Sequence, residues 1–281
     1  MLTLSEAAIF STSLEAIFYG FSVFMFMLTT KTLFRGYGQR RLNYGMIVVA
    51  WALLLLSTAE MAVNIARLYR GFVSLGPKLA GGPEQYFAFT PDAMFLTKSC
   101  LYNAQTVILD AVMIYRAWVV WQNLRVIVIP VVGWCGLIAT CFGLNISFAK
   151  QLSDIESQDL LGIPTGHWVA AAFSLTLFTN LVTTLIIAYR IWMVVRRSTD
   201  YLSQSSLTPV LCVIVESGAI YSVAITAALI TFAAKSNYVF VILDLLSPII
   251  SIVFSMIIVR VGLSKERTAW PPPLVGAGAL R

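Results

Sequence analysis

The sequence predicts an all-α, polytopic membrane protein: a bundle of seven transmembrane helices, with the N-terminus outside and the C-terminus cytoplasmic. Three observations predict it. The 281 residues are 59% hydrophobic and 11% charged, with a mean hydropathy of +0.84, against roughly 45–50% apolar and about 25% charged in a soluble domain. The apolar residues gather in seven runs, each near the roughly 20 residues a helix needs to cross a bilayer. Basic residues concentrate in the short segments on one side of those runs. A water-facing surface cannot be furnished from this alphabet, which excludes a soluble enzyme. The 17 Gly, 10 Pro and four Cys are too ordinary for a disordered chain, a collagen or a disulfide scaffold.

The first run, 7–30, follows Glu6 and is closed by Lys31. A cleaved leader carries its basic residues ahead of a shorter apolar stretch, so this run reads as a retained helix. The second, 44–66, lies between Arg40-Arg41 and Arg67 with Arg70. Segment 67–96 is the longest loop, rich in the turn chemistry of Gly76-Pro77, Gly81-Gly82-Pro83 and Thr90-Pro91-Asp92. Spans three (97–121) and four (126–148, with Pro130 in its first turns) are joined by a tight link. An acidic loop, 150–166, leads to span five, 167–195, which Arg196 and Arg197 close. The Ser/Gln-rich stretch 198–206 precedes span six, 207–234. Only Lys235-Ser236 separates that span from span seven, 237–259, so the last two form an antiparallel hairpin. The transmembrane domain is thus 1–263, and 264–281 is a short cytoplasmic tail.

Lys and Arg in short loops stay cytoplasmic. One side receives Lys31, Arg35, Arg40, Arg41, Arg125, Arg196, Arg197, Arg260, Lys265, Arg267 and Arg281; the other receives Arg67, Arg70, Lys78, Lys98, Lys150 and Lys235 beside Asp154, Glu156 and Asp159. That asymmetry sets the orientation, in the plasma membrane or the endoplasmic reticulum. The net charge of +6 then reads as topology and contact with anionic lipid, with no nucleic acid as partner. Cys135, Cys141 and Cys212 lie inside apolar runs and Cys100 has no partner in an outer loop, so no disulfide is expected. The sequon Asn145-Ile146-Ser147 lies too near the bilayer for glycosylation to be expected.

Spans three and five end alike, Tyr115-Arg116-Ala117-Trp118 and Tyr189-Arg190-Ile191-Trp192. One reading is an interfacial belt, with Tyr and Trp at headgroup depth and Arg snorkelling to phosphate. The other is a switch in which Arg116 pairs with an acid on span six, such as Glu216. An inverted-repeat transporter fits less well, because both copies face the same side.

Five acids fall inside the spans: Glu15, Glu60, Asp110, Glu216 and Asp244. A charge at mid-bilayer costs at least about 2.5–3.5 kcal/mol, so these acids should face the bundle interior or carry a proton. Glu15 lies sixteen residues before Lys31, Glu60 nineteen after Arg41 and Asp244 sixteen before Arg260, roughly 24–29 Å from their cytoplasmic anchors. In a sequential ring, spans one, two and seven are neighbours, so these three should converge on one outward-opening pocket. Asp110, six residues before Arg116, and Glu216, nine after Leu207, sit deeper. No Lys or Arg occupies a span centre, so at least one clustered acid should hold a proton, ready to donate it, to bind an amine or Na⁺, or to hydrogen-bond. The packing alternative satisfies each acid with Asn64, Asn103, Asn180, Tyr19 or Tyr221. Pro248, four residues after Asp244, should kink span seven as a hinge or a shape feature.

His167 is the one histidine, and no Cys-x-x-Cys, Gly-x-Ser-x-Gly or phosphate-binding loop occurs, so no metal and no cofactor is expected. Seven spans, Tyr115-Arg116 closing span three and a proline in span seven resemble the general plan of G-protein-coupled receptors. That resemblance implies a ligand pocket, with a cytoplasmic G protein as partner. Span seven reads Asp244-Leu245-Leu246-Ser247-Pro248 in place of the receptors' Asn-Pro-x-x-Tyr, and it has no lysine for a retinal Schiff base. The Tyr-Arg-x-Trp pairs, the run Glu216-Ser217-Gly218-Ala219-Ile220-Tyr221 and the ending Ile257-Ile258-Val259-Arg260-Val261-Gly262 resemble heptahelical integral membrane proteins of mushroom-forming (basidiomycete) fungi over most of the chain. That likeness implies the fold and carries no established activity. In size, and in acids on spans two and seven, the chain is also similar to small seven-span fungal terpene cyclases, whose functional acids would correspond to Glu60 and Asp244; here Glu60 sits in Ser57-Thr58-Ala59-Glu60-Met61 without a preceding Trp.

Three functions follow. The favoured one is a receptor-like protein binding a small ligand among Glu15, Glu60, Asp110 and Asp244. The second is an isoprenoid cyclase with Glu60 and Asp244 as catalytic acids and aromatic walls around a carbocation. The third is a proton- or cation-coupled carrier.

Overall fold

The computed structural model describes residues 3–35, 44–88, 93–153, 163–197, 204–234 and 236–269. Among these the chain is helical throughout, without strands: α1 (Leu4–Arg35), α2 (Tyr44–Tyr69), a short α3 (Gly82–Ala88), α4 (Ala93–Trp121), α5 (Leu124–Ser153), α6 (Ile163–Arg197), α7 (Gln204–Ala233) and α8 (Tyr238–Ala269). All but α3 are long and apolar enough to cross a membrane, running from 26 residues in α2 to 35 in α6. Each predicted span falls within one of these seven to within a residue. α8 continues to Ala269, past the predicted start of the tail. Arg40 and Arg41, the acidic segment with Asp154, Glu156 and Asp159, Thr90-Pro91-Asp92, Lys235 and the tail beyond 269 lie outside the described residues.

The long helices form a sequential ring in which α1 packs on α2 and α8, α2 on α4, and so on to α7 against α8; α8 also touches α2 and α4 across the middle. It is the most enclosed helix, with 61% of its apolar window buried, against 22% in α1 and α2.

The outer surface is apolar, and the interior sets polar stripes among a hydrophobic core. On α1, Ser11, Glu15, Ser22 and Thr29 form one stripe at four- and seven-residue spacing, and they are buried while Ile17, Phe21, Phe24 and Met27 are exposed. On α8, Asp244, Ser247, Ser251 and Ser255 repeat the pattern beside buried Leu246, Ile250 and Phe254. Lipid cannot hydrogen-bond a side chain, so the polar stripes turn inward and the apolar residues outward. Small residues let the helices approach closely. A Cβ built on Gly218 of α7 would lie 2.6 Å from the Thr184 hydroxyl of α6.

The predicted long loop is folded. After α2 the backbone makes a π-type turn, Arg70–Ser74, a 3₁₀ turn, Gly76–Lys78, and then α3. The reason is that Pro also suits the first turn of a helix: Pro77 opens the 3₁₀ turn, and Gly82, at φ +67°, delivers the chain into α3 just before Pro83. Phe72 and Tyr86 pack on Phe87 at 5.5 and 5.3 Å between ring centres. From α3 the Glu84 carboxylate accepts the Leu4 amide at 2.8 Å, the Ser5 amide at 3.1 Å and the Ser5 hydroxyl at 2.7 Å, which satisfies donors that an α1 N-terminus leaves open.

The Ser5 hydroxyl, reinforced by the two amides and opposed by partial burial, holds the Glu84 carboxyl below its ordinary range. A carboxyl depressed on folding stabilises the fold above its unfolded value, about 4.3, and that contribution is lost as pH falls through the lower folded value. Hydrogen-exchange protection of residues 4–8 should therefore drop on acidification below about pH 4. Glu84→Gln should lose protection at neutral pH and abolish the acid step; a step that survives in the variant would show that Glu84 does not cause it.

Candidate functional site

Four helices each bring an ionisable or amide side chain to one level in the half of the bundle nearer the N-terminal face. α1 brings Glu15, α2 brings Glu60 and Asn64 one turn apart, α4 brings Lys98 and Gln105 two turns apart, and α8 brings Asp244 and Ser247. Lys98 and Asp244 form an ion pair with side chains only 13% and 6% exposed. Asn64 donates to Glu15 Oε2 at 2.5 Å. Gln105 Nε2 donates to Glu60 Oε2 at 2.7 Å, while its Oε1 accepts the Ser247 hydroxyl at 3.0 Å. The charges of Asp244 and Lys98 act on both Glu15 and Glu60, and Glu60 also acts on Glu15. The structure therefore brings Glu15, Glu60 and Asp244 together and ties α1 to α2, α2 to α4 and α4 to α8.

Lys98 corrects the expectation that no cation meets the acids. At the end of span three it reads as a topology marker, yet it lies eighteen residues before Arg116, about 27 Å along a helix. That is the level of the three acids. The depth rule that grouped the carboxyls would have placed Lys98 among them.

Asp110 sits one helical turn beyond Thr106, apart from this network. It is buried, and neither of its carboxyl oxygens has a hydrogen-bond partner among the described residues; the buried Tyr221 hydroxyl has none either. Glu216 does not pair with Arg116. It is exposed on α7, whose inward residues at that level are Ser217 and Gly218, and the Arg116 guanidinium lies 5.9 Å from the centre of the Phe254 ring on α8. Pro248 is buried within a continuous α8; its missing amide leaves the Asp244 carbonyl without the usual helix donor.

Beside the network lies an apolar recess with a cavity volume of about 90 Å³. Glu60 and Lys98 form its polar wall, and Phe95, Tyr102, Phe148 and Phe173 its aromatic ones. Phe95 and Phe148 meet edge to face at 5.2 Å. Ser99 and Asn103 also line it, but both donate to Asn145 Oδ1, at 3.1 and 3.4 Å, so the sequon asparagine is engaged between α4 and α5. Glu60 Oε1, by contrast, is buried with no hydrogen-bond partner among the described residues. A second recess, toward α3, is lined by Leu4, Ser11, Asn64, Arg67 and Phe87, and Lys98 belongs to the walls of both. The recess was not legible because its lining comes from five helices far apart in sequence.

At the opposite end, Trp121 stacks on Tyr189 at 6.3 Å, lies under Arg190 at 5.1 Å and donates its indole N–H to the Ile186 carbonyl at 2.9 Å. Tyr115, Trp118, Tyr189 and Trp192 are exposed, an arrangement suited to an interfacial belt. Among the described residues no group of three or more His, Cys, Asp and Glu could hold a metal ion. No protein-family model, curated protein or solved structure matches the chain.

Removing one partner of a buried ion pair leaves an uncompensated charge, whereas replacing both with apolar groups need not destabilise. Lys98→Met should cost about 3–5 kcal/mol of stability, and Lys98→Met with Asp244→Leu should recover most of it in thermal unfolding of the purified protein. Losses that simply add would mean the two groups act independently.

Proposed function

We propose that the chain is a receptor-like integral membrane protein that binds a small ligand in the recess beside Glu60 and Lys98, with its N-terminus outside and its C-terminus cytoplasmic. The orientation rests on the Lys and Arg residues of the short loops, which leaves the site in the exoplasmic half of a plasma or endoplasmic reticulum membrane.

The observation that carries this reading is the double membership of Lys98. It lines the apolar recess and also pairs with Asp244 of α8. A ligand in the recess would touch α2, α4, α5, α6 and α8 and would act on the ion pair between α4 and α8. Binding energy can shift a helix arrangement only through such differential contacts. A cytoplasmic G protein is the partner this reading requires.

One observation favours the cyclase as a second reading. Glu60 Oε2 is held by Gln105, Oε1 has no hydrogen-bond partner among the described residues, and the recess that Glu60 lines has aromatic walls. If Oε1 carried a proton, it would deliver it to an epoxide oxygen. The C–O bond would open as an alkene electron pair attacks carbon, and the resulting cation would lose a proton to a base, giving an isomerised ring.

Membranes containing the protein, incubated with a prenyl epoxide and analysed for products, separate the two. Ligand-dependent activation of a G protein without cyclised product is the expected result. Cyclised product that disappears in both Glu60→Gln and Asp244→Asn would overturn the receptor reading.

A further inference from the structure

The recess has a definable unmet valence. Of its polar side chains, Thr106 donates its hydroxyl to the Tyr102 carbonyl at 3.1 Å, and Ser99 and Asn103 are spent on Asn145. Lys98 is spent on Asp244. Glu60 brings an acceptor, Oε1, that has no hydrogen-bond partner among the described residues, on a residue 1% exposed. Burying such an acceptor unpaired is costly, so the complementary ligand brings a donor.

Charge narrows the class. Glu15, Glu60 and Asp244 lie in one electrostatically coupled cluster with the single ammonium of Lys98. Three carboxyl groups share that one ammonium, and Glu60, whose Oε1 has no hydrogen-bond partner among the described residues, lines the recess. Four aromatic rings, Phe95, Tyr102, Phe148 and Phe173, line the same space, and ring faces attract a desolvated cation. The remainder is apolar, including Leu137, Leu144 and Val169. Repulsion from Lys98 is offset because Asp244 holds that ammonium.

We infer that the ligand class is a lipophilic amine, its ammonium bonded to Glu60 Oε1 and its apolar body lying between α4, α5 and α6. This rests on the recess being the ligand site and adds the chemistry of the ligand. It also separates the two readings above, since a cyclase with a protonated Oε1 needs an acceptor such as an epoxide, whereas an ionised Oε1 needs a cation.

The test uses four twelve-carbon probes that differ only in their heads: dodecylamine, dodecanol, 1,2-epoxydodecane and dodecanoate. The purified full chain in lipid nanodiscs is treated with N-ethylmaleimide, and each cysteine is read by peptide mass spectrometry. Cys141 lines the recess and is buried, while Cys100, Cys135 and Cys212 are exposed and report non-specific effects. Unfolding temperature is read in parallel, so the heads are ranked even where Cys141 labels slowly. Dodecylamine should protect Cys141 at a concentration lower than the other probes by about tenfold or more, the advantage of a charge-assisted hydrogen bond. Glu60→Gln should erase that advantage, bringing dodecylamine to the level of dodecanol. Equal ranking of amine and alcohol in the wild-type chain would overturn the amine assignment, and preference for the epoxide would overturn it in favour of the cyclase. Absence of protection and of any thermal shift with all four probes would overturn the recess as a ligand site altogether.

Discussion

Everything near the site depends on one constraint: the Lys98–Asp244 ion pair must stay closed in a medium that cannot solvate either charge. An ammonium and a carboxylate taken out of water cost several kcal/mol each unless they meet. Here they come from α4 and α8. Their meeting fixes the rotation of α4, and that rotation points Gln105, seven residues further on, at Glu60. It fixes α8 as well, presenting Ser247 to the other end of the same amide. The hydrogen bonds that follow are individually small, about 0.6 kcal/mol each inside a membrane, so they tune an arrangement that the charges impose. Outside this level close packing, as where Gly218 admits the Thr184 side chain, acts beside interhelical hydrogen bonds such as those from Asn180 to the Gly218 carbonyl at 3.1 Å and the Ser222 hydroxyl at 2.8 Å.

Much of this was legible from residue order. Lipid selects sharply, so apolar runs mark the helices and their polar members mark the inner faces, as Ser11, Glu15, Ser22 and Thr29 do on α1. Counting from basic anchors sufficed to group Glu15, Glu60 and Asp244. It would have added Lys98 had that residue been counted as a member of its span rather than as a marker of its end. Other features fail for a physical reason. One residue is about 100° around a helix, so a list of acids could not say that Glu216 faces outward while Ser217 faces inward. Segment 67–96 read as turns because Gly and Pro break helices, yet Pro77 and Pro83 stand in the first turns of short ones.

The site joins two environments. Toward α3, a polar recess contains Arg67, Asn64 and the face of Lys98; on the other side lies the apolar, aromatic recess closed by Glu60. A ligand suited to both is amphiphilic, and its head meets the groups that hold α1, α2, α4 and α8 together. On the receptor reading proposed above, ligand chemistry and helix arrangement would be coupled through the same atoms. Asp110 and Tyr221 stand apart, buried and without hydrogen-bond partners among the described residues.

The Lys98–Asp244 pair comes down to a distance between two atoms in the bilayer. Solid-state NMR of the protein in lipid, with ¹⁵N-lysine and ¹³C-aspartate labels and Asp244→Asn to assign the signal, measures the dipolar coupling between Lys98 Nζ and Asp244 Cγ. A closed pair gives a lysine–carboxyl coupling within ion-pair reach, about 4 Å, that vanishes in the variant. A Lys98 ammonium coupled to lipid phosphate instead, with no aspartate near it, would contradict it.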